Sequence, residues 1–201
     1  SVGAISITGN ADDAITLTGT SNTTTIATGG ADTQDITIAG IINDAANDTT
    51  LSLNAGALGD VTLSAPVGSS QAIAGLTITD AYDVSLQAVT TAGGAITAGT
   101  DASNRLDGTL TLNGNLASEN GGAAAGAISL FADNILLEAT GTGSITLDSD
   151  AITTDAVITI ATDAAGSLAS STAWEDGITI NSDSANTVLT NAVLSSLDHL
   201  V

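Results

Sequence analysis

A short hydrophobic and polar pattern recurs along the whole chain: an apolar residue, then Thr or Ser, then a second apolar residue. Ile36-Thr37-Ile38 and Leu110-Thr111-Leu112 are typical. Period-two alternation that is rich in β-branched side chains is the signature of a strand with one buried face. The same pattern occurs at residues 5–7, 15–17, 51–53, 61–63, 76–78, 84–86, 128–130, 145–147, 158–160 and 178–180. The sequence therefore predicts an all-β protein.

The spacing of these units indicates how the strands are arranged. Ile26 and Leu51 are 25 residues apart, and so are Ile36 and Val61. A coil of two or three strands needs roughly 20 to 25 residues, so the spacing favours a β-solenoid in which each coil stacks on the one before. Stacked at ~4.8 Å, about nine irregular coils would form a rod of roughly 40 Å. Because the alternation also fits hairpins, a tandem β-sandwich is the alternative.

The repeat divides the chain into two parts. Residues 1–183 form the predicted solenoid, and residues 184–201 a C-terminal segment that either continues into further chain or forms a short helix. The helix is predicted because Val188, Leu189, Ala192 and Val193 follow a partly helical period. An open solenoid end exposes unpaired strand edges, so we expect end-to-end self-association or further repeats of the same polypeptide.

The composition limits both the kinds of side chain in the core and the classes of partner that the protein can bind. The apolar residues are almost all Ala, Ile, Leu and Val, with Tyr82, Phe131 and Trp174 the only aromatic residues. Such side chains suit the narrow interior of a solenoid. The chain carries 22 acidic residues against one basic residue, Arg105, and a net charge of −21. This charge excludes nucleic acid as a partner and disfavours anionic lipid, while no apolar stretch is long enough for membrane insertion.

Several phrases resemble the repeat regions of filamentous-haemagglutinin-like adhesins and related autotransporter exoproteins of bacteria. They are residues 48–56 (DTTLSLNAG), 59–65 (GDVTLSA) and 143–148 (GSITLD). The resemblance implies a right-handed parallel β-helix that is exported to the cell exterior. The predicted function is thus a non-catalytic structural or adhesive segment of a large secreted cell-surface protein, with a glycan or host-surface receptor as partner.

A second family shares the bias towards Ala, Thr, Gly and Asp with almost no lysine: the S-layer proteins of Gram-negative bacteria. This likeness keeps a second interpretation open, in which the chain is a subunit or fragment of a self-assembling extracellular filament or S-layer. A calcium β-roll is not expected, because Gly29-Gly30-Ala31-Asp32 lacks the second half of the glycine-aspartate repeat.

The one metal site that the sequence suggests is formed by clustered carboxylates. Asp148, Asp150 and Asp155 lie within eight residues of one another, and Ca²⁺ prefers oxygen ligands of this kind. We therefore name these three as the candidate calcium ligands, although Asp also favours turns for conformational reasons. No other cofactor is expected.

Catalytic residues are not predicted. His199 is the only histidine and there is no cysteine, so a histidine-based triad or a zinc site lacks its other members. Paired carboxylates leave a carbohydrate-active β-helix enzyme as a third, disfavoured interpretation, because three aromatic residues and one arginine offer little with which to build a sugar-cleaving cleft.

Overall fold

The computed structural model describes residues 3–9, 14–28, 34–120, 124–138, 143–170, 176–182, 187–190 and 193–195. These residues form strands, turns and bends, with no helix among them. The strands are β1 (Ile5–Thr8), β2 (Ile15–Leu17), β3 (Thr23–Ala27), β4 (Ile36–Ala39), β5 (Ile42–Asp44), β6 (Thr50–Asn54), β7 (Val61–Leu63), β8 (Gly75–Asp80), β9 (Val84–Leu86), β10 (Val89–Thr90), β11 (Ile96–Ala98), β12 (Leu106–Leu112), β13 (Leu116–Ala117), β14 (Ile128–Leu137), β15 (Gly143–Asp148), β16 (Ile158–Ala161), β17 (Ser167–Ser170), β18 (Asp176–Asn181), β19 (Thr187–Thr190) and β20 (Val193–Ser195).

The strands stack into three faces, and every pairing between these strands is parallel. Face A consists of β1, β4, β7, β9, β12, the second half of β14, β17 and β20. Face B consists of β2, β5, β10, β13, β15 and β18, and face C of β3, β6, β8, β11, the first half of β14, β16 and β19. The protein is a parallel β-solenoid, which excludes the tandem β-sandwich with its antiparallel hairpins.

The solenoid has about six turns, so the expectation of about nine coils is not confirmed. Face B shows why. Its partners run from Ile15 to Ile42, and continue through Val67, Val89, Leu116 and Leu147 to Ile180. A turn takes from 22 residues (Val67 to Val89) to 33 residues (Leu147 to Ile180), because each turn holds three strands and loops of varying length. Six steps of ~4.8 Å span roughly 29 Å.

The predicted C-terminal helix is likewise not confirmed. Within residues 184–201, the described residues form β19, which pairs with β16, and β20, which pairs with β17. Backbone hydrogen bonding to the preceding turn thus decides the conformation of this segment, over a weak helical period in the sequence. Residues 184–186, 191–192 and 196–201 lie outside the described residues.

The core is a set of vertical ladders in which each inward residue lies on its equivalent one turn away. On face A, Ile36, Val61, Val84, Leu110 and Ile135 align in register, and each is at most 1% exposed. Aliphatic side chains of similar size pack closely in such a ladder. This geometry explains the composition of the apolar residues.

One inward ladder is polar and lies where face B ends. Thr91, Ser118 and Ser149 each follow an apolar face B position by two residues, and all three are fully buried. Each hydroxyl donates a hydrogen bond to a backbone carbonyl, at Gly94, Asp148 and Ala156 respectively. Hydroxyls satisfy carbonyl groups that a turn would otherwise leave without partners, so these polar residues cost the core little.

Leu110 tests the contribution of the ladders, because it is fully buried in β12 between β9 and β14. We expect Leu110→Ala to lower the free energy of unfolding by about 2–5 kcal/mol, since it removes apolar burial and leaves a cavity. Thr111→Ala, on the outward side of the same strand, should change it by less than about 1 kcal/mol. Chemical denaturation followed by circular dichroism measures both, and equal losses would contradict the ladder as the main source of stability.

Candidate functional site at the corner between faces C and A

The corner where face C leads into face A differs from one turn to the next. Residues 81–83 make it between β8 and β9, and residues 99–105 between β11 and β12, whereas β14 continues through the corner as one strand. Gly99 begins the longer connection with φ +71°, and a Cβ atom there would lie 2.5 Å from the Phe131 carbonyl oxygen. Only glycine therefore fits where this loop leaves the solenoid.

The loop is held in one conformation by Asp101. The Asp101 carboxylate accepts hydrogen bonds from the backbone N–H groups of Ser103 (2.7 Å) and Asn104 (3.0 Å), and from the Asn104 side-chain amide. The Thr100 N–H closes the loop by donating to the Asn104 carbonyl oxygen at 2.9 Å. The side-chain hydrogen bond from Asn104, followed by the backbone bond from Ser103, lowers the pKa of Asp101. The loop is preorganised by these bonds.

Arg105, the single basic residue of the chain, joins the loop to the next two turns. Its Nε lies 3.2 Å from an Asp133 carboxylate oxygen, and a terminal nitrogen lies 3.1 Å from an Asp163 carboxylate oxygen. Another terminal nitrogen donates to the Thr162 carbonyl oxygen at 3.3 Å. Burial raises the pKa of Asp133, Arg105 opposes that shift, and the neighbouring Asp163 and Asp107 add to it. The guanidinium thus offsets repulsion among acids from successive turns.

A polar cavity of about 410 Å³ lies beside this loop. Its lining consists of Thr79, Asp80, Thr100, Ser103, Asn104, Arg105 and Asp107. Asp80 ends β8, and Asp107 lies near the start of β12. Burial, and then the negative charge of Asp107, raise the pKa of Asp80. Within the described part of the chain, neither carboxylate accepts a hydrogen bond or forms an ion pair, so the cavity presents two acids without partners.

Of the three calcium candidates, Asp148 ends β15, and Asp150 and Asp155 lie in the connection that follows it. An Asp148 carboxylate oxygen accepts hydrogen bonds from the Asp150 N–H and the Asn181 side-chain amide, both at 3.1 Å. An Asp155 carboxylate oxygen accepts one from the Ala151 N–H at 3.1 Å. Asp150 also lines a second cavity, of about 280 Å³, with Glu119, Ala151 and Ile152. The described residues include no group of three acidic, histidine or cysteine side chains arranged to hold a metal ion, so calcium at this turn stays a prediction.

Asp44, another acid from a cluster in the sequence, accepts hydrogen bonds from the backbone. Asp44 is fully buried, and its carboxylate accepts hydrogen bonds from the N–H groups of Ala46, Asp48 and Thr49. This arrangement holds the turn between β5 and β6 and leaves Asp44 no free side for a ligand. Asp12, Asp13, Trp174, Glu175 and His199 lie outside the described residues.

A carboxylate ladder on face A is not apparent in the sequence. Asp35, Asp60 and Asp83 each precede a face A strand in successive turns. Each carboxylate accepts the backbone N–H of the residue one turn further on, at Asp60 (3.0 Å), Asp83 (3.1 Å) and Thr109 (2.7 Å). The signal that could have found it is an acid at the same position of three consecutive repeats.

The comparisons with known proteins give no match: no protein-family model, no curated protein and no solved structure corresponds to this chain. In addition, the described residues contain no helix that could span a membrane. The assignment of a function therefore depends on the geometry of the solenoid and its corner.

Arg105 provides a test of this corner. We expect Arg105→Gln to lower the free energy of unfolding by about 1 kcal/mol in low salt, because the two ion pairs are partly exposed. The loss should shrink in 1 M NaCl, where screening acts over only ~3 Å. Arg105→Lys keeps the charge but not the forked geometry, so an intermediate value is expected. Denaturant titrations at both salt concentrations measure these free energies of unfolding. A Gln variant as stable as the wild type would contradict a stabilising role for the two ion pairs of Arg105.

Proposed function

We propose that this chain is a non-catalytic structural or adhesive segment of a large secreted protein of the bacterial cell surface. The observation that carries the proposal is the parallel stack of strands on three faces, whose apolar residues pack on one another in one continuous core. A stack of this kind grows by adding turns without changing its cross-section, which is the property that a surface rod requires. We assign it the right-handed winding that nearly all parallel β crossovers adopt.

The use of charge supports this proposal. The carboxylates of Asp35, Asp60, Asp83 and Asp101 all accept backbone hydrogen bonds, so they stabilise turns and at the same time give the rod a negative surface. High net charge keeps a protein with many strands soluble. The only residue after which a trypsin-like protease cleaves, Arg105, is engaged in two ion pairs. A coat protein exposed to proteases benefits from both features.

A second candidate function, a subunit of a self-assembling filament or S-layer, is favoured by the first turn. Its inward residues Ile5, Ile7, Ile15 and Ile26 are only partly buried, whereas Ile36, Ile38, Ile42 and Leu53 one turn further on are at most 2% exposed. A parallel strand from another copy, paired with β1, β2 or β3, would bury these isoleucines.

The proposed location can be tested with antibodies raised against the purified chain. We expect them to label intact source cells, because a surface segment is accessible without lysis. The control is an antibody against a cytoplasmic protein of the same cells, which should label them only after permeabilisation. Labelling by both antibodies only after permeabilisation would contradict the extracellular assignment.

Thr16→Pro tests the assembly candidate. In β2 the Ile15 N–H donates to Ile41 and the Leu17 carbonyl accepts from Ala45, so the N–H of Thr16 points to the open edge. We expect wild-type chain to form oligomers whose size grows with concentration, and Thr16→Pro to form fewer, because proline has no N–H to donate and blocks strand addition.

Analytical ultracentrifugation and electron microscopy would follow the assembly, with Thr16→Ala as the matched control. Circular dichroism should show that both variants keep their β content. A wild-type chain that stays monomeric at every concentration would reject the assembly candidate and leave the rod proposal standing.

A further inference from the structure

The cavity at the corner between faces C and A has the features of a binding site for a small hydroxyl-rich ligand. Its volume of about 410 Å³ lies at the low end of the range for small-molecule sites, roughly 300–1,000 Å³. Such sites are usually lined by apolar and aromatic side chains. Here every lining residue carries a polar or charged side chain, so a ligand would be held through hydrogen bonds and not through apolar burial.

The chemistry of the lining selects among polar ligands. Among the described residues, Asp80 and Asp107 supply carboxylate acceptors without hydrogen-bond or ion-pair partners. The Thr79 and Thr100 hydroxyls and the Asn104 amide nitrogen already donate within the chain, so these groups offer a ligand oxygen acceptors, while the Ser103 hydroxyl can also donate. The positive charge of Arg105 is already shared with Asp133 and Asp163. The local field is therefore negative, which repels phosphate, sulfate and carboxylate groups. A ligand that donates several hydrogen bonds and carries no negative charge fits these conditions best.

Two aromatic residues flank the same corner. Tyr82 lies two residues after Asp80 and is 44% exposed. Phe131 lies where β14 meets the loop, with its carbonyl oxygen and Cβ next to Gly99. The chain has only three aromatic residues, so the placement of two of them here is notable. Neither residue lines the cavity. An exposed ring beside the cavity is available to the apolar C–H faces of a sugar that extends beyond it.

The loop that forms one wall is held in place before any ligand arrives. The hydrogen bonds to Asp101 fix Ser103 and Asn104, and Arg105 attaches the end of the loop to the next two turns. A site whose groups are already ordered loses less conformational entropy on binding. The two carboxylates also repel each other in the empty cavity, a cost that hydroxyl donors from a ligand would offset.

From these observations we propose that the cavity beside the 99–105 loop binds the terminal sugar of a neutral glycan, with Asp80, Asn104 and Asp107 as the hydrogen-bonding residues. This inference deepens the adhesive part of the proposed function and rests on it. The site is small and open, so we expect a single sugar to bind weakly, with a dissociation constant on the order of 0.1–1 mM. Multivalent display should strengthen this binding.

The experiment is a glycan array probed with multivalent wild-type chain, followed by calorimetric titration of the best neutral glycan. Binding should occur without added calcium, persist in EDTA, and be absent from sialylated and sulfated glycans. Asp107→Ala should weaken binding about tenfold or more, because it removes a charged hydrogen-bond acceptor. Asn104→Ala should weaken it too, provided that its unfolding midpoint shows that the loop is intact.

Glu138→Ala is the matched control, since it removes an exposed carboxylate at the end of β14, outside the cavity. It should bind within about twofold of the wild type, and neither it nor Asp107→Ala should shift the unfolding midpoint by more than a few degrees. The proposal is overturned if no neutral glycan binds, if Asp107→Ala binds like the wild type, or if EDTA abolishes binding. If glycan binding fails in this way but antibodies still label intact source cells, only this site is rejected and the proposed rod function is retained.

Discussion

The parallel stacking of turns at the strand spacing is the constraint on which the rest of this structure depends. Each inward side chain lies on its equivalent one turn away, as Ile36, Val61, Val84, Leu110 and Ile135 do on face A. The interior therefore has a constant cross-section and accepts a narrow set of shapes. The abundance of Ile, Leu, Val and Ala suits this geometry, since side chains of similar size pack closely on one another.

The same stacking explains how a chain with a net charge of −21 folds. Equivalent corner residues of successive turns lie close together, so acids at one position repel each other unless something offsets the charge. On face A the offset comes from backbone N–H groups, which the carboxylates of Asp35, Asp60 and Asp83 accept. At the corner between faces C and A it comes from Arg105, between Asp133 and Asp163. Hydrogen bonds to the charged form favour the carboxylate, as does a nearby guanidinium.

Function in a solenoid of this kind depends on departures from the regular repeat. β14 passes through the corner as one strand, whereas the 99–105 loop forms one wall of the cavity. Among the described residues, the carboxylates of Asp80 and Asp107 have no hydrogen-bond or ion-pair partner, in contrast to the acids of the face A ladder. The regular positions thus stabilise the rod, and the loop creates the one site for which we propose a ligand.

The sequence by itself determined twelve of the strands and the outward and inward sides of each, because period-two alternation is local. The repeat spacing favoured stacked turns, while hairpins of a β-sandwich remained an alternative. Units such as 36–38, 110–112 and 158–160 are strands with buried apolar positions.

Only the tertiary structure decided the number of turns, the fate of residues 187–190 and the partners of the acids. The number of turns depends on how many residues each loop consumes, and β19 forms because β16 offers it an edge. Whether Asp60 is a turn acceptor and Asp107 a free carboxylate depends on which backbone N–H lies one turn away. For the face A acids that neighbour is 23 to 26 residues distant in sequence, and no local pattern specifies it.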